Sequence, residues 1–438
     1  MGRTKILLIS GFTNSEIREH LTFRKNNAFF HYLIKLFHLP VRVGEFRDTT
    51  PWVRSIIEYY EGREDIELHV MAPHILLDHP VQSFVMRDVT YHYYRSEFTS
   101  FVRLVKSYKI WKMLQRTGHY AKKIIKEVKP DLIVLSGAEN PQSSVSVLYA
   151  GGYPRVCLCQ VVYNDPDRYK YTRPNHLIAK LEKDVFANLN YFGVYCKKHY
   201  ELLKQQTNNK YIFKYNYPPR SNVKAIKLNH IEKQYDFVNF AAAHSLAKGT
   251  HDSIRALALV KREYPNVTLN IVGGCDEKLK IELSQLIKEL GLEDNVIFTP
   301  FFEKRIDLIF HIQKSRFAVL PCKLDNTSGT MNQSMHYGIP LIVYKTMGTM
   351  AFNKDMECAL IAEMNDINGL ANHMLTLMND ADRAERLKRN AIRYRETLRD
   401  SSRTNWERMT IGFQYIIDNY KNGVAIPQEL LFDPRKDS

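Results

Sequence analysis

The feature that most constrains this chain is an alternation of short apolar strands with helix-length amphipathic stretches, which runs twice. In the first half, strand-like runs fall at 6–10, 66–72, 131–136, 155–162, 191–195 and 211–214. Between them Ala121, Ile124, Ile125 and Val128 recur at helical spacing, and Pro130 stops that helix. From Pro218 to Gln234 the pattern breaks into a proline pair and a polar, basic stretch that reads as a linker. A second alternation follows, with strands at 237–241, 267–272, 296–299, 317–320, 341–344 and 359–362. Leu279, Leu283, Leu286, Ile287 and Leu290 form an apolar stripe between two of them, closed by Gly291. Strands separated by helices require parallel sheets covered on both faces.

The expected fold class is therefore α/β, with two doubly wound, Rossmann-like domains facing a central cleft. A chain of 438 residues is also too long for one ordinary core. The expected division is 1–217, a linker at 218–234, a second domain at 235–403 and a C-terminal helix within 404–438. Trp406, Met409, Phe413, Ile416, Ile417 and Tyr420 form that helix's apolar stripe.

Sheets of this kind bind ligands beyond the carboxyl ends of their strands. The loops that follow strands are thus where chemistry is sought. The richest runs from Leu320 to Pro340, between two apolar strands. It offers Asp325, the small residues Thr327, Ser328, Gly329 and Thr330, and Gln333 one turn into the following helix. Small residues at a helix start leave backbone N–H groups open to an anion, and the helix dipole adds positive potential. Another loop holds His244, Lys248 and Gly249 ahead of a helix. A lysine at a helix start opposes the dipole unless an anion binds there; the plain alternative is a surface lysine. Gly273 and Gly274 end the next strand, where paired glycines allow close backbone approach or simply a turn. In the first half, Gly11 follows the first strand, and Ser136-Gly-Ala-Glu-Asn-Pro141 follows another. Glu139 reads either as a hydrogen-bond acceptor or base, or as the cap of the helix after Pro141. Trp52 reads as a buried anchor at a helix start, with stacking on a sugar or lipid as the alternative.

Composition narrows the rest. Hydrophobic content of 45% and charged content of 25% are those of a globular protein. No apolar run approaches the ~20 residues a membrane span needs. Residues 6–9 are too short for a signal-peptide core, so a cytoplasmic location is expected. The six cysteines lack metal-ligand spacing and read as reduced, mostly buried thiols. Lys plus Arg number 62 against 47 Asp plus Glu, a net charge of +15. Arg103, Lys106, Lys109, Lys112, Arg116, Lys122, Lys123 and Lys126 concentrate the excess. They read either as a solvated helix face or as a surface for anionic lipid. No nucleic-acid motif accompanies them, which argues against that partner.

These motifs, taken together, resemble a family. The second half is similar to the donor domain of retaining GT-B glycosyltransferases of family 4 (glycosyl transferases group 1). Lys248-Gly249 resembles the family's lysine-glycine signature, Leu269–Gly274 and Gly291–Phe298 the strands that follow, and Leu320–Pro340 its donor-sugar motif. The first half is similar to bacterial members through Ile9–Asn14, Pro51-Trp52, Glu67–Val70 and Gly137–Pro141. The resemblance implies sugar transfer from a UDP-sugar or GDP-sugar to a hydroxyl acceptor, a glycan or lipid-linked glycan, with retained configuration. It implies Lys248, Asp325 and Glu139 as catalytic candidates. Gly11, His244, Gly249, Gly273, Ser328, Gly329, Thr330 and Gln333 are the candidates for holding the donor. No metal or cofactor is expected. The C-terminal helix is expected to cross back to the first domain, as in the family. The setting implied is polysaccharide or lipopolysaccharide biosynthesis, peripheral to the inner membrane face.

The chain departs from the family at four positions. Asp325 and Gln333 stand where the family has two glutamates, Ala243 where it often has an arginine, and Gln160 near a common first-domain histidine. A non-catalytic relative that binds nucleotide or glycan as a scaffold is the alternative these departures leave open.

Overall fold

A computed structural model describes residues 2–23, 50, 52–96, 107–171, 175–207, 210–218, 231–302, 304–324 and 329–436. The chain divides into two units: Met1–Asp165, Pro174–Asn222 and Ser401–Ser438 form the first, Pro166–Arg173 and Val223–Asp400 the second. Pro166–Arg173, expected in the first domain, thus groups with the second. Most of the expected linker lies outside the described residues.

Unit 1 is built on strands β1 (Thr4–Ile9), β2 (Ile66–His74), β3 (Val81–Met86), β4 (Val89–Arg95), β5 (Leu132–Ser136), β6 (Arg155–Leu158), β7 (Tyr191–Val194) and β8 (Tyr211–Lys214). Their order across the sheet is β3-β4-β2-β1-β5-β6-β7-β8. Only the β3–β4 pair is antiparallel. Successive residues of β1 enter opposite cores: Ile6 and Leu8 one, Leu7 and Ile9 the other. A strand buried on both faces reads as an unbroken apolar run, which is why it was visible in the sequence. β6 stops at Leu158, short of the expected end at Val162. Beyond it the amides of Tyr163 and Asn164 donate to the buried Glu182 carboxylate at 2.6 and 2.8 Å instead of to a strand neighbour.

The hairpin β3–β4 was not expected. Its two-residue turn, Arg87-Asp88, has φ of 49° and 62°, a conformation that usually calls for Asn-Gly. Asp88→Gly is expected to relieve this at about 1 kcal/mol. The unit should then melt about 2 °C higher in a thermal scan.

Polar residues line up across β1, β2, β4 and β3. Lys5 and His69 meet the Glu67 carboxylate at 3.0 and 2.8 Å, His69 Nδ1 meets His92 Nε2 at 2.9 Å, and His92 Nδ1 meets Ser83 Oγ at 2.8 Å. With Glu67 ionised, one order satisfies every atom: Ser83 donates to His92, His92 to His69, and His69 to Glu67. Burial, then the neighbouring His69, lowers the His92 pKa to about 4. A histidine depressed in the fold contributes stability that is complete above its unfolded value of ~6.5 and is lost as pH falls toward the folded value. We expect urea denaturation at pH 7 and pH 4.5 to show a loss ~2 kcal/mol smaller in His92→Gln than in the wild type.

Unit 2 carries β9 (Tyr235–Ala243), β10 (Leu269–Gly274), β11 (Val296–Thr299), β12 (Ser315–Val319), β13 (Leu341–Tyr344) and β14 (Leu360–Ala362), all parallel, in the order β11-β10-β9-β12-β13-β14. Phe237 enters one core, Val238 and Phe240 the other. The helix Glu277–Glu289 buries Leu279, Leu283 and Ile287, and Gly291 follows it at φ 61°.

Residues Ala381–Asn422 form one helix of 42 residues, whose latter part counts in unit 1. Trp406, Met409, Phe413, Ile416 and Ile417 are buried in that unit's core, whereas Tyr420, expected in the same stripe, is exposed. Trp52 is likewise exposed, contrary to expectation. Val53, Ile56, Ile57 and Tyr60 of the helix it precedes supply the burial instead. All six cysteines are free thiols, four of them buried.

Candidate functional site

In unit 2 the chain steps from β9 outward to β10 and β11, then returns to place β12 on the other side of β9. Strand order reverses at this point, so the loops after β9 and β12 diverge and open a crevice at the carboxyl ends. These are the loops that carry Lys248 and Leu320–Thr330.

The loop after β9 closes in a single turn of 3-10 helix, Leu246–Lys248, and enters the helix Thr250–Val260 through Gly249 at φ 69°. A side chain at Gly249 would run into the Pro321 carbonyl, so this glycine lets the two crevice loops pack backbone to backbone. Lys323 N–H donates to the Ala247 carbonyl at 2.9 Å and adds a second tie. The helix start has no side-chain cap. Lys248 is half-buried, and no hydrogen bond or ion pair engages its Nζ among the described residues. An uncapped helix start beside an unengaged ammonium is what a phosphate group requires.

Gly273 has φ 134°, and a side chain there would meet the Ala241 carbonyl. Its role is to let β9 and β10 end in close register, with a bulge between Gly273 and Gly274. His244 is placed differently from the expectation. It is buried; Nε2 donates to the Val272 carbonyl at 3.0 Å, and Nδ1 accepts from Thr250 Oγ1 at 2.9 Å. Burial lowers its pKa, so the ring is neutral. Both nitrogens are committed, which makes His244 a brace of the Lys248 turn and leaves it no N–H for an anion.

After β12, Leu320, Pro321 and Cys322 are buried. Asp325 and Ser328 lie outside the described residues. The helix Gly329–His336 follows, with Gly329 exposed and Thr330 and Gln333 half-buried. The Gln333 side-chain amide makes no hydrogen bond among the described residues. Asn332 is held by Arg395 at 2.9 Å.

Unit 1 has the same reversal between β1 and β5, and the loops there carry Gly11 and Glu139. A side chain at Gly11 would come within 2.8 Å of Asn140 Nδ2. Asn140, not Glu139, caps the helix Pro141–Leu148 by accepting from Gln142 N–H. The half-buried Glu139 folds its carboxylate back over Gly137, which sits at φ 81° and has no side chain to block it. Nearby lies a network that sequence reasoning did not assemble. Gln160 Nε2 donates to Ser136 Oγ at 2.8 Å, Ser136 lies 3.3 Å from the Tyr217 hydroxyl, and Tyr195 donates to the Gln160 carbonyl at 2.9 Å. Burial, with the Glu139 charge adding to it, raises the Tyr217 pKa, so its phenol stays protonated. The period-two spacing of Tyr215 and Tyr217 beyond β8 was the available signal.

Among the described residues no group of three or more His, Cys, Asp or Glu converges as a metal site, and no helix is long and apolar enough to cross a membrane. Residues 223–394 match the family model of glycosyl transferases group 1. This group 1 segment contains both crevice loops of unit 2. The chain is also 25% identical over 257 residues to an uncharacterized glycosyltransferase, MJ1059, of Methanocaldococcus jannaschii. That match covers 53% of this chain and 59% of the relative, so the chain spans a little over half of the relative's length. Solved structures match nearly end to end. Sucrose-phosphate synthase from Thermosynechococcus elongatus aligns over 96% of this chain and 100% of its own, with a TM-score of 0.63 and 16% identity. HepE of Anabaena, solved in complex with UDP and glucose, aligns over 94% and 100%, with a TM-score of 0.62 and 14% identity. The fold is thus an α/β arrangement of two parallel-sheet domains, matching GT-B glycosyltransferase structures.

Proposed function

We propose that the protein is a retaining glycosyltransferase that moves a hexose from a nucleoside-diphosphate sugar to a hydroxyl of a glycan or lipid-linked glycan. The observation that carries this reading is the unengaged Lys248 at an uncapped helix start, where the two crevice loops of the group 1 segment pack together. HepE, a structural neighbour, holds UDP and glucose, which supports a UDP-linked donor.

In the reaction, the bond from the anomeric carbon to the diphosphate oxygen breaks and its electron pair leaves with the phosphate. Lys248 and the amides of Gly329 and Thr330 meet that growing charge. One preorganised donor of this kind lowers a barrier by about 3 kcal/mol. Asp325 holds a donor-sugar hydroxyl and Gln333 the ribose, while Gly249 and Gly273 shape the crevice by letting its backbone segments pack closely. The acceptor hydroxyl's proton passes to the departing phosphate oxygen as the new glycosidic bond forms, and Glu139 is the catalytic candidate that unit 1 supplies. Exposed Arg116, Lys122, Lys123 and Lys126 on the helix Ser107–Val128 support an acceptor presented at an anionic membrane surface.

A thermal-shift screen of nucleotide sugars tests the reading. One UDP- or GDP-sugar at a hundred times its dissociation constant should stabilise the fold by about 2.7 kcal/mol, and product analysis should then show transfer. The scaffold reading rests on Asp325 and Gln333 replacing two glutamates; it predicts stabilisation without turnover.

A further inference from the structure

Asp252 lies in the first turn of the helix Thr250–Val260, and its carboxylate is buried. Oδ2 accepts from Lys323 Nζ at 2.7 Å and from the Tyr344 hydroxyl at 2.8 Å, while Arg255 stands 3.6 Å from Oδ1. Lys323 is nearly as buried: its side chain is 9% exposed against 5% for Asp252. Tyr344, at the end of β13, is fully buried. Burial and the bond to Asp252 raise its pKa, so it remains a donor. The three groups come from the end of β13, the loop after β12 and the helix that follows β9, and those strands are neighbours in one sheet.

Lys323 is therefore fastened twice to the element that carries Lys248. Its main chain bonds Ala247, the residue before Lys248, and its side chain bonds the first turn of the helix after it. A buried charge pair adds little net stability, because desolvation offsets the attraction; apolar residues of similar volume often serve as well. What charged hydrogen bonds add is direction and a fixed length. The segment so fixed leads straight to Asp325 and the helix Gly329–His336.

We propose that Lys323 and Asp252 are positioning residues of the nucleotide site: their buried pair sets the loop after β12 against the Lys248 turn, and neither touches the donor. This inference rests on the reading of unit 2 as the nucleotide-sugar site.

The test is calorimetric titration of UDP and GDP into the full chain, beside melting curves, for the wild type, K323Q/D252N, K323R, K248A and K323Q/D252N/K248A. The neutral pair leaves no unpaired buried charge, since Arg255 is exposed, so it should melt near the wild type yet bind the preferred nucleotide at least tenfold more weakly. K323R keeps the charge on a differently shaped arm and should shift affinity at least threefold with its fold intact, which decides the matter if the neutral pair is unstable. The triple variant should bind more weakly than K248A, because the pair also holds the loop after β12 from which the other donor contacts follow. Wild-type affinity in either folded pair variant, or triple-variant affinity equal to that of K248A, would overturn this inference alone. Absence of binding by the wild type to either nucleotide would overturn the reading beneath it as well.

Discussion

Lys248→Ala is expected to lower donor turnover at least 100-fold and to weaken nucleoside-diphosphate binding, while the protein keeps its melting temperature within a degree or two. The reason is local. Lys248 is half-buried and makes no ion pair among the described residues, so truncating it breaks nothing in the fold. What it removes is a positive charge beside an uncapped helix start, where leaving-phosphate charge would develop. Loss of one such donor costs about 3 kcal/mol of transition-state stabilisation. Steady-state kinetics with the donor found by screening, alongside a thermal melt, measures both halves. Equal losses of turnover and of melting temperature would count against the role given to Lys248.

Gly249→Ala should damage stability and site together. Alanine in the left-handed region costs about 1–2 kcal/mol. Overpacking against the Pro321 carbonyl adds about 1–3 kcal/mol. The loop after β12 should yield first, since it carries the Pro321 carbonyl that the new side chain meets. Nucleotide affinity is then expected to fall at least tenfold. Gly291→Ala is the control: Gly291 has φ 61°, in the same unit, but a side chain there meets nothing within 4 Å. It should show the backbone cost alone, with nucleotide affinity unchanged. If both variants bind nucleotide alike, the packing of Gly249 on Pro321 does not shape the site.

The doubly wound plan was legible because strands such as β1 and β12 are covered on both faces and leave an unbroken apolar run. Elements governed by other physics were not. β3 and β4 were missed because their turn uses Arg87 and Asp88 at positive φ, without the glycine that signals such a hairpin. At the site, Lys248 and the loop after β12 could be placed by counting from strand ends, since a parallel sheet fixes where its loops emerge. His244 was a candidate for holding the donor through the resemblance, beside the place of the family's arginine, and the sequence could not show that its ring is spent on Val272 and Thr250. Glu139 lost its capping alternative to Asn140, one residue on, a distinction only backbone geometry makes. The Lys323–Asp252 pair spans 71 positions and the Tyr217 network joins residues 24 to 81 positions apart, and no local pattern records such pairings.

A crystal structure grown with UDP or GDP, whichever binds more tightly, is the most direct measurement. The diphosphate should lie at the strand reversal between β9 and β12, with an oxygen within hydrogen-bonding distance of Lys248 Nζ and others against the amides that open the helix Gly329–His336. Nucleotide bound at any other edge of the second sheet, with Lys248 turned to bulk solvent, would contradict the account.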